Sequence, residues 1–171
     1  ARTGSRHGLP VRCIRENAFN KGPLTTHIRL NRMNRALLIP EYTITVFCLG
    51  NQRFASGHAS HPHTAIGRIN LAGVENQGDH AIATVIACSD SRVPVEIVFD
   101  QGLGDLFCVR VAGNLASPGV VGSLEFAVDQ LGIGLVAVLG HQECGAVRAA
   151  LEGESGTGSL DVILSDIPPP A

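Results

Sequence analysis

Short runs of consecutive apolar residues mark the second half of the chain. Three of them, Ile82–Ala87, Leu106–Val111 and Leu135–Leu139, show little of the alternation typical of a half-exposed strand. Strands covered on both faces have this pattern, because neither side of the sheet meets water. The pattern therefore predicts three buried strands of a parallel sheet.

Segments with the apolar spacing of helices lie between and after these runs. Residues Val120–Leu131 carry an apolar stripe, with Ser117–Pro118 as N-cap and first turn and Gly132 as the stop. Two further helices are predicted over Cys144–Leu151 and Leu160–Ile167. Strands that alternate with helices indicate an α/β fold, a parallel β-sheet core with flanking helices.

The first half of the chain is less regular. Residues 1–40 show no clean period and hold eight of the 13 basic residues, so we interpret them as a basic segment, arm-like or poorly ordered. Glu41–Leu49 is β-branched and aromatic, which favours a strand. Residues 51–70 are polar and rich in His, Pro and Gly, as in a loop with at most one short helix.

Charge and cysteine content narrow the class of protein. A net charge of −2 argues against nucleic acid or membrane as a partner, and no apolar run approaches the ~20 residues that span a bilayer. Five cysteines, an odd number, suit reduced thiols better than a disulfide framework. We therefore expect a cytoplasmic protein, or an organellar one if the Arg-rich N-terminus is a transit peptide.

The candidate chemistry lies directly after two of the predicted strands. Cys88 follows the first strand, and His141 and Cys144 follow the third. Parallel sheets place their chemistry beyond the carboxyl ends of the strands, and zinc prefers tetrahedral sets of thiolate and imidazole. A set of three protein ligands leaves the fourth position open, as in catalytic rather than structural zinc sites.

A carboxylate and a guanidinium accompany the first cysteine. Asp90 and Arg92 lie two and four residues after Cys88. A carboxylate so close to the metal would compete for it, whereas the fork of Arg92 can hold Asp90 away and leave room for water. Zinc lowers the pKa of such a water from 15.7 to about 7, which makes it a nucleophile for a small electrophile such as CO2.

The motifs Cys-x-Asp-x-Arg, Arg-Val-Ala-Gly-Asn and His-x2-Cys-Gly follow one another in this order. With them the chain resembles the β-class carbonic anhydrase family in four segments, ACSDSRVPVEIVFD (87–100), GDLFCVRVAGN (104–114), GSLEFAVDQLG (122–132) and VLGHQECGAVRAAL (138–151). Weaker matches are GNQRF (50–54) and GSLDVILSDI (158–167). Residues 41–171 are therefore interpreted as a partial domain of this kind, since the family continues beyond Ile167.

The resemblance implies zinc-dependent, reversible hydration of CO2 to bicarbonate and a proton. It implies that Cys88, His141 and Cys144 bind Zn²⁺, that Asp90 and Arg92 form a catalytic pair, and that Asp90 becomes the fourth ligand in a closed state. It also implies homodimers or higher oligomers with active sites at the subunit interface.

Two departures from the family pattern stand out. The family usually has a substrate-binding Gln nine residues before its first cysteine ligand, where this chain has Asp79. The family also has a helix before GNQRF, where Glu41–Leu49 favours a strand.

Other functions remain open at this point. The same scaffold could hydrolyse COS or CS2, or the zinc could stabilise a module without catalysis. A thiol redox protein is disfavoured, because the chain has no Cys-x2-Cys. His58, His61 and His63 could converge on a metal, but a solvated polar loop is the simpler interpretation, since no acid or thiol joins them in the sequence.

Overall fold

The fold is built on three parallel strands. A computed structural model describes residues 40–68 and 76–167; the basic segment predicted over residues 1–40 lies outside them except for Pro40. The strands are β1 (Ala83–Cys88), β2 (Leu106–Val111) and β3 (Val136–Leu139), in the order β2-β1-β3. Both pairings are parallel, so the predicted α/β sheet is confirmed.

Helices connect and flank the strands, and the three helices predicted after residue 117 are present. They are α1 (Pro40–Ala55), α2 (Val95–Val98), α3 (Pro118–Glu125), α4 (Gly145–Leu151) and α5 (Ser159–Ser165). A π-helical turn, Phe126–Gln130, extends α3, and 3₁₀ turns lie at Gln77–Asp79 and Ala112–Asn114. Gly132 has a φ of 68° just past the π turn, so the stop predicted there is confirmed.

The core lies on both faces of the central strand. All six residues of β1 are buried, and Ala83, Val85 and Ala87 pack with residues of α1 and α2. A smaller cluster that includes Ala127 and Ile133 forms beside the π turn. The central position of β1 explains its unbroken apolar sequence. The prediction of a buried strand is wrong for β3, an edge strand on which Val136 and Val138 are exposed, and β2 is only partly buried.

The strand predicted over Glu41–Leu49 is wrong, because these residues belong to helix α1. The buried residues of α1 are Thr43, Phe47, Gly50 and Asn51, which share one helical face. The Phe47 ring stacks on Phe99 with centroids 4.3 Å apart, and a Cβ on Gly50 would lie 1.8 Å from the Phe99 carbonyl oxygen. Packing against α2 therefore overrides the β propensity of the segment.

A buried carboxylate fixes the loop that follows α1. Asp100 accepts hydrogen bonds from Arg53 Nε at 2.5 Å, from the Ser60 and His61 N–H groups at 2.9 Å and from the Ser60 hydroxyl at 2.8 Å. Burial alone would raise the pKa of this carboxyl. The hydrogen bonds from Ser60, Arg53 and His61 outweigh burial and hold the pKa well below its usual range.

The three histidines of this loop do not converge. His63 Nδ1 lies 2.7 Å from Asp105 Oδ2, and His58 Nδ1 lies 3.2 Å from Ser56 Oγ. His61 contributes its backbone N–H to Asp100. The loop is thus structural, with one histidine held by an acid that is distant in the sequence.

Among the described residues, Cys88, Cys108 and Cys144 are free thiols, as expected. Among the described helices, none has the length and apolar character needed to cross a bilayer.

We expect Phe47→Ala to lower the free energy of unfolding by about 3 kcal/mol, because it removes a buried ring from the contact between α1 and α2. Chemical denaturation measures this loss. Ile44, also on α1 but 48% exposed, provides the matched control as Ile44→Ala. Equal effects of the two variants would show that α1 does not pack as described.

We expect Asp100→Asn to lower the free energy of unfolding by about 2 kcal/mol near neutral pH. The pKa of the Asp100 carboxyl is about 4 in the unfolded chain and lower in the folded protein. Its contribution to the free energy of unfolding is therefore complete above about pH 4 and is lost as the pH falls below that value. The difference between wild type and variant, measured by urea denaturation, should shrink from pH 7 to pH 3. A constant difference over this range would contradict the assignment, and Glu152→Gln, on the exposed end of α4, serves as control.

Candidate metal centre

Strand pairing brings the predicted ligands together. Ala87 of β1 pairs with Leu139 of β3, so Cys88 and His141 both lie at the carboxyl edge of the sheet. Cys144 is the N-cap of α4, directly after the short turn that follows His141. The chain crosses from β2 to β3 over β1, and such reversals of strand order are where parallel sheets form ligand crevices.

The geometry of the three side chains fits a tetrahedral metal. The sulfur atoms of Cys88 and Cys144 are 3.8 Å apart, and the ligand atoms of all three residues lie within 4.8 Å of one another. Zn–S bonds of about 2.3 Å at a tetrahedral angle place two sulfurs about 3.8 Å apart. The structure thus brings together Cys88, His141 and Cys144 at the spacing that zinc requires.

The hydrogen bonding of His141 also suits a metal ligand. Its side chain is only 2% exposed, yet both ring nitrogens lack a hydrogen-bond partner among the described residues. A buried imidazole with two unsatisfied nitrogens is costly, and a metal ion would satisfy one of them. The donor set therefore fits zinc by charge, type and spacing.

The Cys88 thiol is prepared to ionise. Burial would raise its pKa, but the Asp90 N–H at 3.4 Å from the sulfur, the His141 imidazole and the Gly113 N–H lower it to about 7. Thiolate is the form that binds metal. By contrast, burial and the nearby Glu96 raise the pKa of Cys108 to about 12, as expected for a packed thiol outside the site.

Asp90 and Arg92 form the predicted forked pair beside these ligands. Arg92 donates from Nε to Asp90 Oδ1 at 2.9 Å and from Nη2 to Oδ2 at 2.7 Å, and its backbone N–H also contacts Oδ1. These hydrogen bonds hold the pKa of the Asp90 carboxyl well below its usual range. Asp90 Oδ2 is 4.0 Å from His141 Nε2, so the carboxylate stands next to the ligand set while it is paired with Arg92.

Arg92 also joins the two ligand-bearing segments. Its Nη2 donates to the carbonyl oxygen of Glu143 at 2.9 Å, in the turn between His141 and Cys144. Glu143 has a φ of 52°, which bends that turn sharply. One guanidinium therefore contacts both the Asp90 carboxylate and the second ligand loop.

Sequence reasoning assigned no role to two contributors to the site, although both belong to the Arg-Val-Ala-Gly-Asn motif (110–114). Arg110 of β2 donates to the carbonyl oxygens of Cys88 and Asp90, and the Gly113 N–H faces the Cys88 sulfur. A charged residue inside the otherwise apolar strand LFCVRV was the available signal for Arg110. Gly113 has a φ of 68°, a backbone conformation that favours glycine.

Asp79 lies away from this centre. It belongs to the 3₁₀ turn before β1, whereas Cys88 ends that strand. The six residues of β1 span roughly 17 Å, so Asp79 lies near the amino end of this strand and the ligands of the same chain lie at its carboxyl end.

Comparison with known proteins agrees with this geometry. A family model described as carbonic anhydrase matches residues 83–170. Carbonic anhydrase 2 of Mycobacterium tuberculosis is 48% identical over 103 residues, which cover 60% of this chain and 48% of that protein. The carbonic anhydrase of Mycolicibacterium smegmatis is 44% identical over 124 residues, or 70% of this chain and 59% of that protein. The chain thus spans about half the length of these curated relatives.

Solved structures show the same likeness. One of two tetrameric β-carbonic anhydrases from Sordaria macrospora superposes with a TM-score of 0.51 at 28% identity, over 72% of this chain and 61% of that one. A β-carbonic anhydrase of Aspergillus fumigatus gives a TM-score of 0.51 at 31% identity, over 72% and 57%.

The parallel sheet and the Cys-His-Cys cluster at its carboxyl edge define an α/β protein with a three-ligand candidate metal centre. The chain belongs to the β class of the carbonic anhydrase family.

We expect the purified chain to bind close to one zinc ion and Cys88→Ser to lose it, because the variant lacks one of the two thiolates. Metal analysis after dialysis gives the stoichiometry. Cys108→Ser is the matched control, since Cys108 is a free thiol on β2 outside the cluster. Retention of zinc by Cys88→Ser, or its loss from Cys108→Ser, would contradict the ligand assignment.

Proposed function

We propose that this chain catalyses the zinc-dependent, reversible hydration of CO2 to bicarbonate and a proton. The observation that carries the proposal is the set of three metal-ligating side chains beside a carboxylate that an arginine holds away from them. Three ligands leave a tetrahedral metal one open position. Family membership supports the same reaction.

Cys88, His141 and Cys144 would hold the zinc ion. When bound there, zinc supplies the Lewis acidity that converts water into a nucleophile near neutral pH. The two thiolates would neutralise the double charge of the ion, which makes its burial tolerable. His141 contributes a neutral imidazole from a position that is almost fully buried.

Asp90 and Arg92 would control the open position. While both carboxylate oxygens are engaged by Arg92, Asp90 is held back from the metal position and the fourth site is free for water. The lowered pKa keeps Asp90 ionised, so it can accept a hydrogen bond from the reacting water and orient it toward CO2. The same low pKa makes Asp90 a poor proton acceptor, and the proton released in each cycle would leave through solvent or buffer.

Asp90 would become the fourth ligand if its contacts with Arg92 broke. Its Oδ2 atom already lies 4.0 Å from His141 Nε2, so a small movement would bring the carboxylate to the metal position. We propose this as a closed, inactive state of the site.

We also propose a cytoplasmic homodimer or higher oligomer. The related enzyme from Sordaria macrospora is described as tetrameric. Apolar side chains on the surface of this chain, among them Val138 at 68% and Val162 at 59% exposure, are compatible with burial against further protein.

We expect Asp90→Asn to retain zinc while its kcat for CO2 hydration falls about 100-fold, because a neutral amide cannot pair with Arg92 as a carboxylate does or orient the water equally well. Stopped-flow CO2 hydration and zinc content are measured on the same sample. Asp129→Asn, an exposed acid beside α3, is the control.

Full activity of zinc-loaded Asp90→Asn would contradict the role of Asp90. A wild-type chain that holds zinc but hydrates no CO2 would contradict the proposed function and favour a non-catalytic zinc module.

A further inference from the structure

Arg110 occupies an unusual place for a charged residue. It lies near the end of β2, pairs with Ala87 of β1 and is half-buried. By the alternation of a strand it shares a face with Leu106 and Cys108, which pack against the main core. A guanidinium in such a position needs hydrogen-bond partners.

Its partners are backbone carbonyls rather than an acid. Arg110 Nε donates to the Cys88 carbonyl oxygen at 3.0 Å, and Nη2 donates to the Asp90 carbonyl oxygen at 2.7 Å. Within the described ranges, no ion pair involves Arg110. The donors of this side chain are thus directed at the segment that carries the first metal ligand and the carboxylate.

The two carbonyls lie on either side of the peptide group whose N–H faces the Cys88 sulfur. Between them lies the Ser89–Asp90 peptide, whose N–H points at the Cys88 sulfur at 3.4 Å. The Asp90 carbonyl also accepts from the Val93 N–H at 3.1 Å, which closes the turn. Orientation of the carbonyls on either side therefore sets both the N–H that faces the thiolate and the direction of the Asp90 side chain.

We propose that Arg110 is a positioning residue, which holds the Cys88–Asp90 backbone so that the Cys88 sulfur and the Asp90 carboxylate reach the metal centre in the correct orientation. The proposal rests on the proposed metal site and deepens it. Arg92 binds the side-chain carboxylate of Asp90, whereas Arg110 binds the backbone carbonyl oxygen of the same residue.

Arginine is the side chain suited to this task. Its planar fork presents two N–H donors at a fixed spacing, and here these donors reach two different carbonyls. Lysine keeps the charge but offers a single ammonium on a flexible stem, so it cannot fix both carbonyls in the same way. Arg110→Lys is therefore the informative variant, and Arg110→Met removes the donors while it keeps most of the apolar stem.

Arg53 supplies a matched control. It also makes a short ion pair, with the buried Asp100, but it stabilises the loop after α1 rather than the ligand segment. Arg53→Lys should therefore affect stability without affecting the metal centre.

In the first test, each metal-free protein is titrated with Co²⁺, and binding is monitored by the thiolate-to-cobalt absorption band. Competition with Zn²⁺ then gives the zinc affinity. We expect Arg110→Lys to bind Co²⁺ about tenfold more weakly than wild type and to show an altered absorption spectrum. Substitution of residues that hydrogen-bond the metal ligands typically lowers metal affinity by this factor or more. Arg53→Lys should match wild type in both affinity and spectrum. Arg110→Lys with wild-type affinity and spectrum would overturn the proposal.

The second test needs no metal. Hydrogen exchange of the amides of residues 89–93 should be about tenfold faster in metal-free Arg110→Lys than in wild type, because two charge-assisted hydrogen bonds to this segment are weakened. Amides of β1 and α3 should keep their wild-type rates. Unchanged exchange at residues 89–93 would overturn the proposal, and so would global unfolding of both Arg110 variants, since Arg110 would then be a residue of the core.

The two tests separate the proposals. If the wild-type chain binds neither Co²⁺ nor Zn²⁺, the proposed function fails. The hydrogen-exchange comparison then still decides whether Arg110 holds the Cys88–Asp90 segment.

Discussion

The parallel pairing of β1 with β3 is the constraint on which the rest of the molecule depends. It places Cys88 beside the turn that carries His141 and Cys144, although more than fifty residues separate the two cysteines in the sequence, and it brings their sulfurs to 3.8 Å. This is the separation that two sulfur ligands of one tetrahedral zinc ion would have. The fold thus preforms a set of ligands that suits a divalent metal.

Two arginines complete the site from different directions. Arg92 binds the Asp90 side chain and the Glu143 carbonyl, while Arg110 binds the carbonyls of Cys88 and Asp90. Their positive charges lie beside the Asp90 carboxylate and the segment that holds the Cys88 sulfur, and their fixed planar geometry limits how far these groups can move. The position of the Asp90 carboxylate is therefore set by guanidinium contacts.

Much of this could be predicted from the sequence, for physical reasons that also explain the failures. The apolar runs located β1, β2 and β3, but only the central strand β1 is covered on both faces as the pattern predicts; β2 is partly buried and β3 exposes Val136 and Val138. Helix α1 was missed, because Phe47 is the only large apolar residue on its buried face, beside Thr43, Gly50 and Asn51. Its conformation is decided by contact with α2. Arg110 opens the Arg-Val-Ala-Gly-Asn motif, but its contacts are with backbone carbonyls of a neighbouring segment, and the motif alone does not show them.

X-ray absorption at the zinc edge of the metal-replete wild-type chain tests the central claim most directly. The account predicts two sulfur neighbours at about 2.3 Å together with nitrogen or oxygen neighbours at about 2.0 Å, for a total of four. A sulfur number of zero, one or four, or a first shell made only of nitrogen and oxygen, would show that Cys88 and Cys144 do not bind the metal together with His141, and would contradict the account.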